Sequence, residues 1–261
     1  MKTLLATVAT SAAIAFSATS ASADLAVGLV GDKTLVLIDA AKPAVVNSMT
    51  VEGVGRLLGI DVRPADKLLY GVAADGQVVT IDTKTGKTAK VSKLDMLIPA
   101  GASAIVDFNP AADKLRFMGS DGTNLRADVE TGKVTKDGSL AFEAGDMHAG
   151  ETPSIVAAAY SNSLGRPEKT AMYDIDSKIV ALIQQTKPND GTLKAIGKLG
   201  VAAAKSWAFD VATGADGKNT AWLVGDNTLH WVALDTGKAS TVGTIAGAKG
   251  AIRDIAVLPK S

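Results

Sequence analysis

The 261-residue chain contains no cysteine. That excludes disulfides, thiolate zinc sites, iron–sulfur clusters and thiol catalysis. The fold must be held by its core alone, which suits a chain of this size. Histidine occurs only twice, as His148 and His230. A zinc site with three protein ligands would need carboxylates to make up the set, and neither histidine has a partner at helical or hairpin spacing. An excess of one charge is also missing: 27 basic residues face 27 acidic ones. A near-neutral chain without a basic stripe argues against nucleic acid as a partner. Ser-x-x-Lys, a nucleophile elbow and a phosphate-cradling glycine loop are all absent, so no catalytic or metal centre is assigned from motifs.

The first residues, "MKTLLATVATSAAIAFSATSASA", carry one positive charge at Lys2, an apolar centre and Ala21-Ser22-Ala23 in small-x-small form. This is the pattern of a cleaved secretory signal over residues 1–23. Its centre is broken by Thr and Ser and falls short of the roughly 20 apolar residues that span a bilayer. No later stretch is more apolar, so membrane insertion is not expected. The expectation is a soluble, monomeric, periplasmic or secreted protein, with residues 24–261 forming one domain. Removing the leader takes away Lys2 and leaves one excess acid.

Beyond the leader no helical period persists for three turns, and what recurs is a phrase. "IDVRP" at 60–64 aligns with "VDFNP" at 106–110, "AAYSN" at 158–162, "FDVAT" at 209–213 and "IAVLP" at 255–259. Successive central residues (Val62, Phe108, Tyr160, Val211, Val257) are 46, 52, 51 and 46 positions apart. Within each unit apolar residues alternate with period two, as in Leu58, Ile60 and Val62, which marks strands. A polar turn, a second strand, a Gly turn and a third strand follow. "TKTG", "VETG" or "LDTG" then closes a hairpin, placing Gly86, Gly132 and Gly237 where positive φ is needed. Four short antiparallel strands in about 40–50 residues are the signature of a propeller blade. The last unit supplies only a first strand, "AIRDIAVLP", while the mature N-terminus supplies three strands and lacks a first. The expected architecture is all-β: a five-bladed β-propeller closed by pairing of the C-terminal strand with the N-terminal strands, which covers otherwise exposed edges.

The runs "VDFNPAADKLR", "DGTNLRADVETG", "AAAYSNS", "MYDIDS" and "KPNDGTLKAIGKLG" resemble the bacterial domain of unknown function 4394. The resemblance spans roughly residues 27 to 258. It implies a secreted propeller-type repeat protein of a kind sometimes joined to copper–zinc superoxide dismutase domains. No such appended domain is expected from these residues, so the resemblance implies no redox chemistry and no assigned activity.

Asp61, Asp107 and Asp210 occupy the same position of three inner strands, where the other two blades have Ala159 and Ala256. Inner strands line the channel of a propeller, so the three carboxylates are candidates to converge on a cation such as Ca²⁺ or on a polar ligand. The competing reading has each Asp capping the turn after it, which the Asp-x-x-Pro spacing of Asp61–Pro64 and Asp107–Pro110 favours. Arg63, Arg126 and Arg253 are candidates to neutralise these carboxylates or to grip an anion, although strand arginines more often face solvent or pair with a neighbour. The fourth unit carries two longer loops, "SNSLGRPEKT" at 161–170 and "QTKPNDGT" at 185–192. Strand alternation sends both to the face that carries the inner-strand Asp ends, as a binding surface or as neutral elaboration.

These features favour a non-catalytic binding or interaction module for a small ligand or an envelope protein. The alternative is a carboxylate-dependent, Ca²⁺-assisted hydrolase of a saccharide or lactone, since two of the three Asp residues could stand at a workable separation.

Overall fold

In the computed structural model, which describes residues 25–259, the alternating segments form 21 strands and the described residues contain no helix. The leader proposed over residues 1–23 lies outside this range. Blade I contains β1 (Leu25–Val30), β2 (Thr34–Asp39) and β3 (Ala44–Thr50). Blade II is β4 (Leu57–Val62), β5 (Leu69–Ala73), β6 (Gln77–Ile81) and β7 (Thr88–Lys93). Blade III is β8 (Ala104–Asn109), β9 (Lys114–Gly119), β10 (Asn124–Ala127) and β11 (Val134–Lys136). Blade IV begins with the two-residue β12 (Ala141–Phe142), followed by β13 (Ile155–Tyr160), β14 (Met172–Asp176), β15 (Ala181–Lys187) and β16 (Thr192–Lys198). Blade V is β17 (Trp207–Thr213), β18 (Asn219–Gly225), β19 (Thr228–Val232) and β20 (Ala239–Thr244).

The last strand, β21 (Ile252–Val257), pairs antiparallel with β1, with Ala26 opposite Val257 and Gly28 opposite Ile255. It becomes the innermost strand of blade I, giving the sheet order β21-β1-β2-β3. The ring therefore closes as expected, by one shared sheet made from both ends of the described chain. The sequence did not reveal β12, which adds parallel to the outer edge of β16. Two residues carry too little periodicity to be read as a strand.

The core is divided among the seams. Five clusters of buried apolar side chains each draw on two adjacent blades, as where Tyr70 and Val72 of blade II meet Phe108 and Phe117 of blade III. The Asp-x-x-Thr-Gly turns add a polar link. In blade II, Asp82 Oδ1 accepts the amides of Lys84 and Thr85, and Gly86 donates to the Asp82 carbonyl. Asp128 repeats the pattern with Glu130, Thr131 and Gly132. Gly86, Gly132 and Gly237 all stand at φ +76°, as the turn phrase requires. Gly132 also lies against the previous blade, where its carbonyl accepts from Asp95 N–H and a Cβ would collide with the Lys93 carbonyl. Gly132→Ala therefore combines left-handed strain with a backbone clash. The expected loss is at least about 2 kcal/mol of unfolding free energy, read from chemical denaturation.

Candidate functional site

Each blade's innermost strand is a sheet edge, so its channel-facing N–H groups need acceptors from outside their own sheet. The aligned aspartates supply them. Asp61 Oδ2 accepts from Phe108 N–H of blade III (2.6 Å), Asp107 Oδ1 from Tyr160 N–H of blade IV (2.8 Å), and Asp210 Oδ2 from Val257 N–H of blade I (2.6 Å). Each carboxylate thus clasps its own blade to the next one in the ring. Where the preceding blade has alanine in the slot, the amide turns to the aspartate of its own strand: Val62 N–H to Asp61 Oδ1 and Val211 N–H to Asp210 Oδ1, both 2.6 Å. Five slot amides meet the six oxygens of these three carboxylates, and one oxygen is left over. It is Asp107 Oδ2, since the Phe108 amide beside it is already given to Asp61.

The turn-capping reading of these residues is corrected by this geometry. Asp107 does not cap the following turn; Asn109 does, accepting Ala111 and Ala112 N–H on Oδ1. Asp61 likewise spends both oxygens on strand amides. The convergence reading matches the structure, with ligand-type oxygens of Asp61, Asp107 and Asp210 all within 4.8 Å of one another. Sequence alignment missed a fourth member. Asp254, two positions before the alanine slot of β21, accepts Ile60 N–H of blade II (2.7 Å) and its own neighbour Ile255 N–H (3.0 Å). Its only signal was an acid inside an inner-strand run. The seam from blade IV to blade V has no carboxylate and is joined instead by Ser163, whose Oγ donates to the Val211 carbonyl (2.7 Å) and whose N–H donates to Thr213 Oγ1 (2.8 Å).

The candidate arginines are committed elsewhere. Arg63 forks onto Asp113 (2.8 and 2.7 Å) and reaches Glu130 and Asp66, clamping the outer side of the seam between blades II and III. Arg126 shares Asp137 with the buried Arg116 (3.1 and 2.7 Å). Arg253 donates to the carbonyls of Gly31, Leu57 and Leu58. None of them hydrogen-bonds to the channel triad. His148 contacts Glu151 and His230 contacts Thr241, both outside the carboxylate group.

Burial raises the channel carboxyls. Asp61 and Asp107 are pushed well above the ordinary carboxyl range by desolvation and by the charges of their neighbours, Asp210 for Asp61 and Asp61 then Asp210 for Asp107. Asp210 rises to about 6 by desolvation, restrained by its two amide donors. Desolvation takes Asp254 to about 7 against the pull of the Ile60 amide and Arg253. Carboxylates this close interact, so protons taken up here belong to the group rather than to one residue. Its uncommitted oxygen, Asp107 Oδ2, can hold a proton without displacing an amide.

Above the triad the inner-strand ends open into a cavity of about 370 Å³. Asp61, Asp107 and Asp210 form its floor, and Val62, Leu164, Val257 and Leu258 contribute apolar wall. The loop at 161–170 supplies Ser163, Leu164 and Gly165, while residues 187–190 of the other long loop line a separate cleft with Asn109, Tyr160 and Thr170. Both loops therefore stand on the face of the inner-strand Asp ends.

A closed five-bladed propeller with a channel-mouth cavity defines the class of the molecule. The profile described as Domain of unknown function (DUF4394) matches residues 34–256, and the chain belongs to that family. No protein of curated function matches it. Among solved structures it is similar to a structural genomics protein of unknown function from Bacteroides thetaiotaomicron VPI-5482, at 17% identity and TM-score 0.53, over 91% of this chain and 65% of that one. It thus spans about two thirds of that protein. A protein of unknown function from Bacteroides caccae aligns at 12% identity and TM-score 0.44, covering 84% and 72% of the two chains. An auxiliary nutrient binding protein from Bacteroides thetaiotaomicron VPI-5482 aligns at 11% identity and TM-score 0.46, covering 82% and 58%. At 17% identity the likeness to the first of these concerns fold alone.

Raised carboxyls set a pH dependence. Between its unfolded value, about 3.9, and its folded one, such a group binds more protons folded than unfolded, so stability falls as pH rises through that window. With Asp210 at about 6, Asp254 at about 7 and the other two displaced upward, the melting temperature should fall from pH 5 to pH 8. Asp107→Asn keeps the Tyr160 clasp and removes a charge, so it should raise melting at pH 8 and flatten that slope. Asp61→Asn sets an amide donor against a backbone N–H and should cost about 1–3 kcal/mol. Circular dichroism melts of the three proteins at both pH values check this.

Proposed function

We propose that the protein is a non-catalytic binding module that takes a small ligand in the channel-mouth cavity, and that it works in the cell envelope or outside the cell after export. One observation carries the reading: the cavity of about 370 Å³ has apolar walls and is lined by Asp107, whose Oδ2 is an acceptor uncommitted to the protein. Ligand pockets combine apolar lining with a few placed polar groups in this manner, at volumes of roughly 300–1,000 Å³. The seams hold the floor rigid, so the site is pre-formed and binding costs little ordering. The long loop of blade IV builds one wall, where variation can tune the ligand without disturbing the ring.

Carboxylate-dependent hydrolysis, with or without a metal, is the weaker reading. A folded value near 6 for Asp210 suits a general acid. Glycoside cleavage, however, requires two carboxyl groups free to exchange protons and bonds with substrate. Asp61 and Asp210 hold both oxygens in amide bonds that clasp blades, and giving up those bonds in each turnover would loosen the seams. Chemistry is therefore left with one free carboxyl oxygen.

The test is a fragment screen by heteronuclear NMR of the mature protein. Bound fragments should shift the amides of Phe108, Tyr160 and Val257, and the lining substitution Ala212→Trp should abolish those shifts while leaving the melting temperature within a few degrees. The reading fails if no fragment perturbs the mouth, or if a panel of glycosides and lactones is hydrolysed in a manner that Asp107→Asn abolishes without unfolding the protein.

A further inference from the structure

The charge inventory of the cavity names a ligand class, resting on the reading that the cavity binds a small molecule. Three carboxyl groups meet at its floor, and Asp61, Asp107 and Asp210 are 6, 4 and 7% exposed. Buried carboxylates ordinarily have a cationic partner or carry a proton. Among the described residues no lysine, arginine or histidine side chain hydrogen-bonds to any of the three. Arg63 is taken by Asp113, Asp66 and Glu130, and Lys218, at the cavity wall, pairs with Asp216 (3.1 Å). Lys67 also lies on the wall without reaching the floor. A group that must take up either protons or a cation thus stands at the bottom of a cavity open to solvent.

A second observation is independent of the clustering. Asp107 is more than nine-tenths buried, it lines the cavity, and its Oδ2 accepts no hydrogen bond from the protein. This acceptor is orphaned by sequence: the Phe108 amide that would serve it belongs to Asp61, because blade II carries aspartate rather than alanine in the slot.

Three kinds of cation fit this floor unequally. A guanidinium binds best by forking onto both oxygens of one carboxylate, and none of the three has both oxygens free. Ca²⁺ gathers about six to eight oxygens, whereas five of the six carboxylate oxygens here already accept backbone amides, so most of its shell would have to come from water. An ammonium needs only three acceptors. Oxygens no more than 4.8 Å apart leave a point within about 2.8 Å of all three, the length of a charge-assisted N–H···O bond. Asp107 contributes a carboxylate with one oxygen free of amide bonds, and the remaining lone pairs of Asp61 and Asp210 offer the rest. Around the cavity stand Val62, Leu164, Val257 and Leu258, a surface for a hydrocarbon body.

We infer that the cavity selects small primary amines, with the ammonium seated on Asp61, Asp107 and Asp210 and an apolar body against the wall formed with Leu164.

Isothermal titration at pH 7.5 with butylamine and phenethylamine, with butanol and phenethyl alcohol as neutral counterparts, and with CaCl₂ alone tests this. The amines should bind at least about tenfold more tightly than the alcohols, as loss of a charge-assisted bond implies. They should shift the Phe108 and Tyr160 amides in NMR spectra, and Asp107→Asn should lose that preference while remaining folded. Leu164→Ala, at the exposed wall, should weaken phenethylamine more than butylamine. Alcohols binding as well as amines at the mouth, Ca²⁺ displacing the amines, or Asp107→Asn keeping full amine affinity would each overturn the ligand class and leave the cavity reading standing. If no probe perturbs the mouth, both fall.

Discussion

The molecule depends on how the exposed edge of each innermost strand is satisfied. A propeller blade buries its faces against its neighbours, but its inner edge looks into the channel with unpaired amides. In this protein carboxylates from the preceding blade answer most of that need, so the groups that complete one sheet also fasten it to the next. Asp61, Asp107, Asp210 and Asp254 hold four of the five seams, and Ser163 holds the fifth. The apolar clusters between blades supply the bulk of the burial. The clasps fix the register at which those clusters meet.

This device has an electrostatic consequence. Acceptors that converge on an axis bring their charges together, and the low-dielectric surroundings raise the cost of keeping all of them ionised. The seams are tied at the expense of carboxyl acidity in the channel. The same convergence, at the base of a cavity, makes the mouth attractive to positive charge. Structure and recognition thus draw on the same three side chains, and only the one oxygen not engaged in the ring is fully available to a guest.

Much of the scaffold was legible in the sequence. The five-fold phrase, the alternation of apolar residues and the glycines at 86, 132 and 237 are local signals, each set by a few adjacent residues and a backbone conformation. The aligned positions of Asp61, Asp107 and Asp210 likewise followed from the repeat. Their bonding did not, because an Asp-x-x-Pro turn and an inter-blade clasp look alike in one dimension. Asp254 escaped alignment because it bonds one rung away from the others, at Ile60 rather than in the alanine slot. The arginines misled for the opposite reason: Arg63 lies two residues from Asp61 in sequence, yet its side chain reaches Asp113, and Arg126 reaches Asp137, acids brought to them only by folding.

By itself the sequence determined the strands, the turns and the count of blades, since these arise from periodicity and φ preferences within short windows. It also determined ring closure, because the only first strand left over lay at the opposite end of the chain from the blade that lacked one. The tertiary structure alone decided which amide each carboxylate serves and which oxygen remains free, because that assignment depends on the register between sheets whose strands are about fifty residues apart. Hydrogen-bond partners across a seam are set by packing, and packing distances have no counterpart in the order of residues.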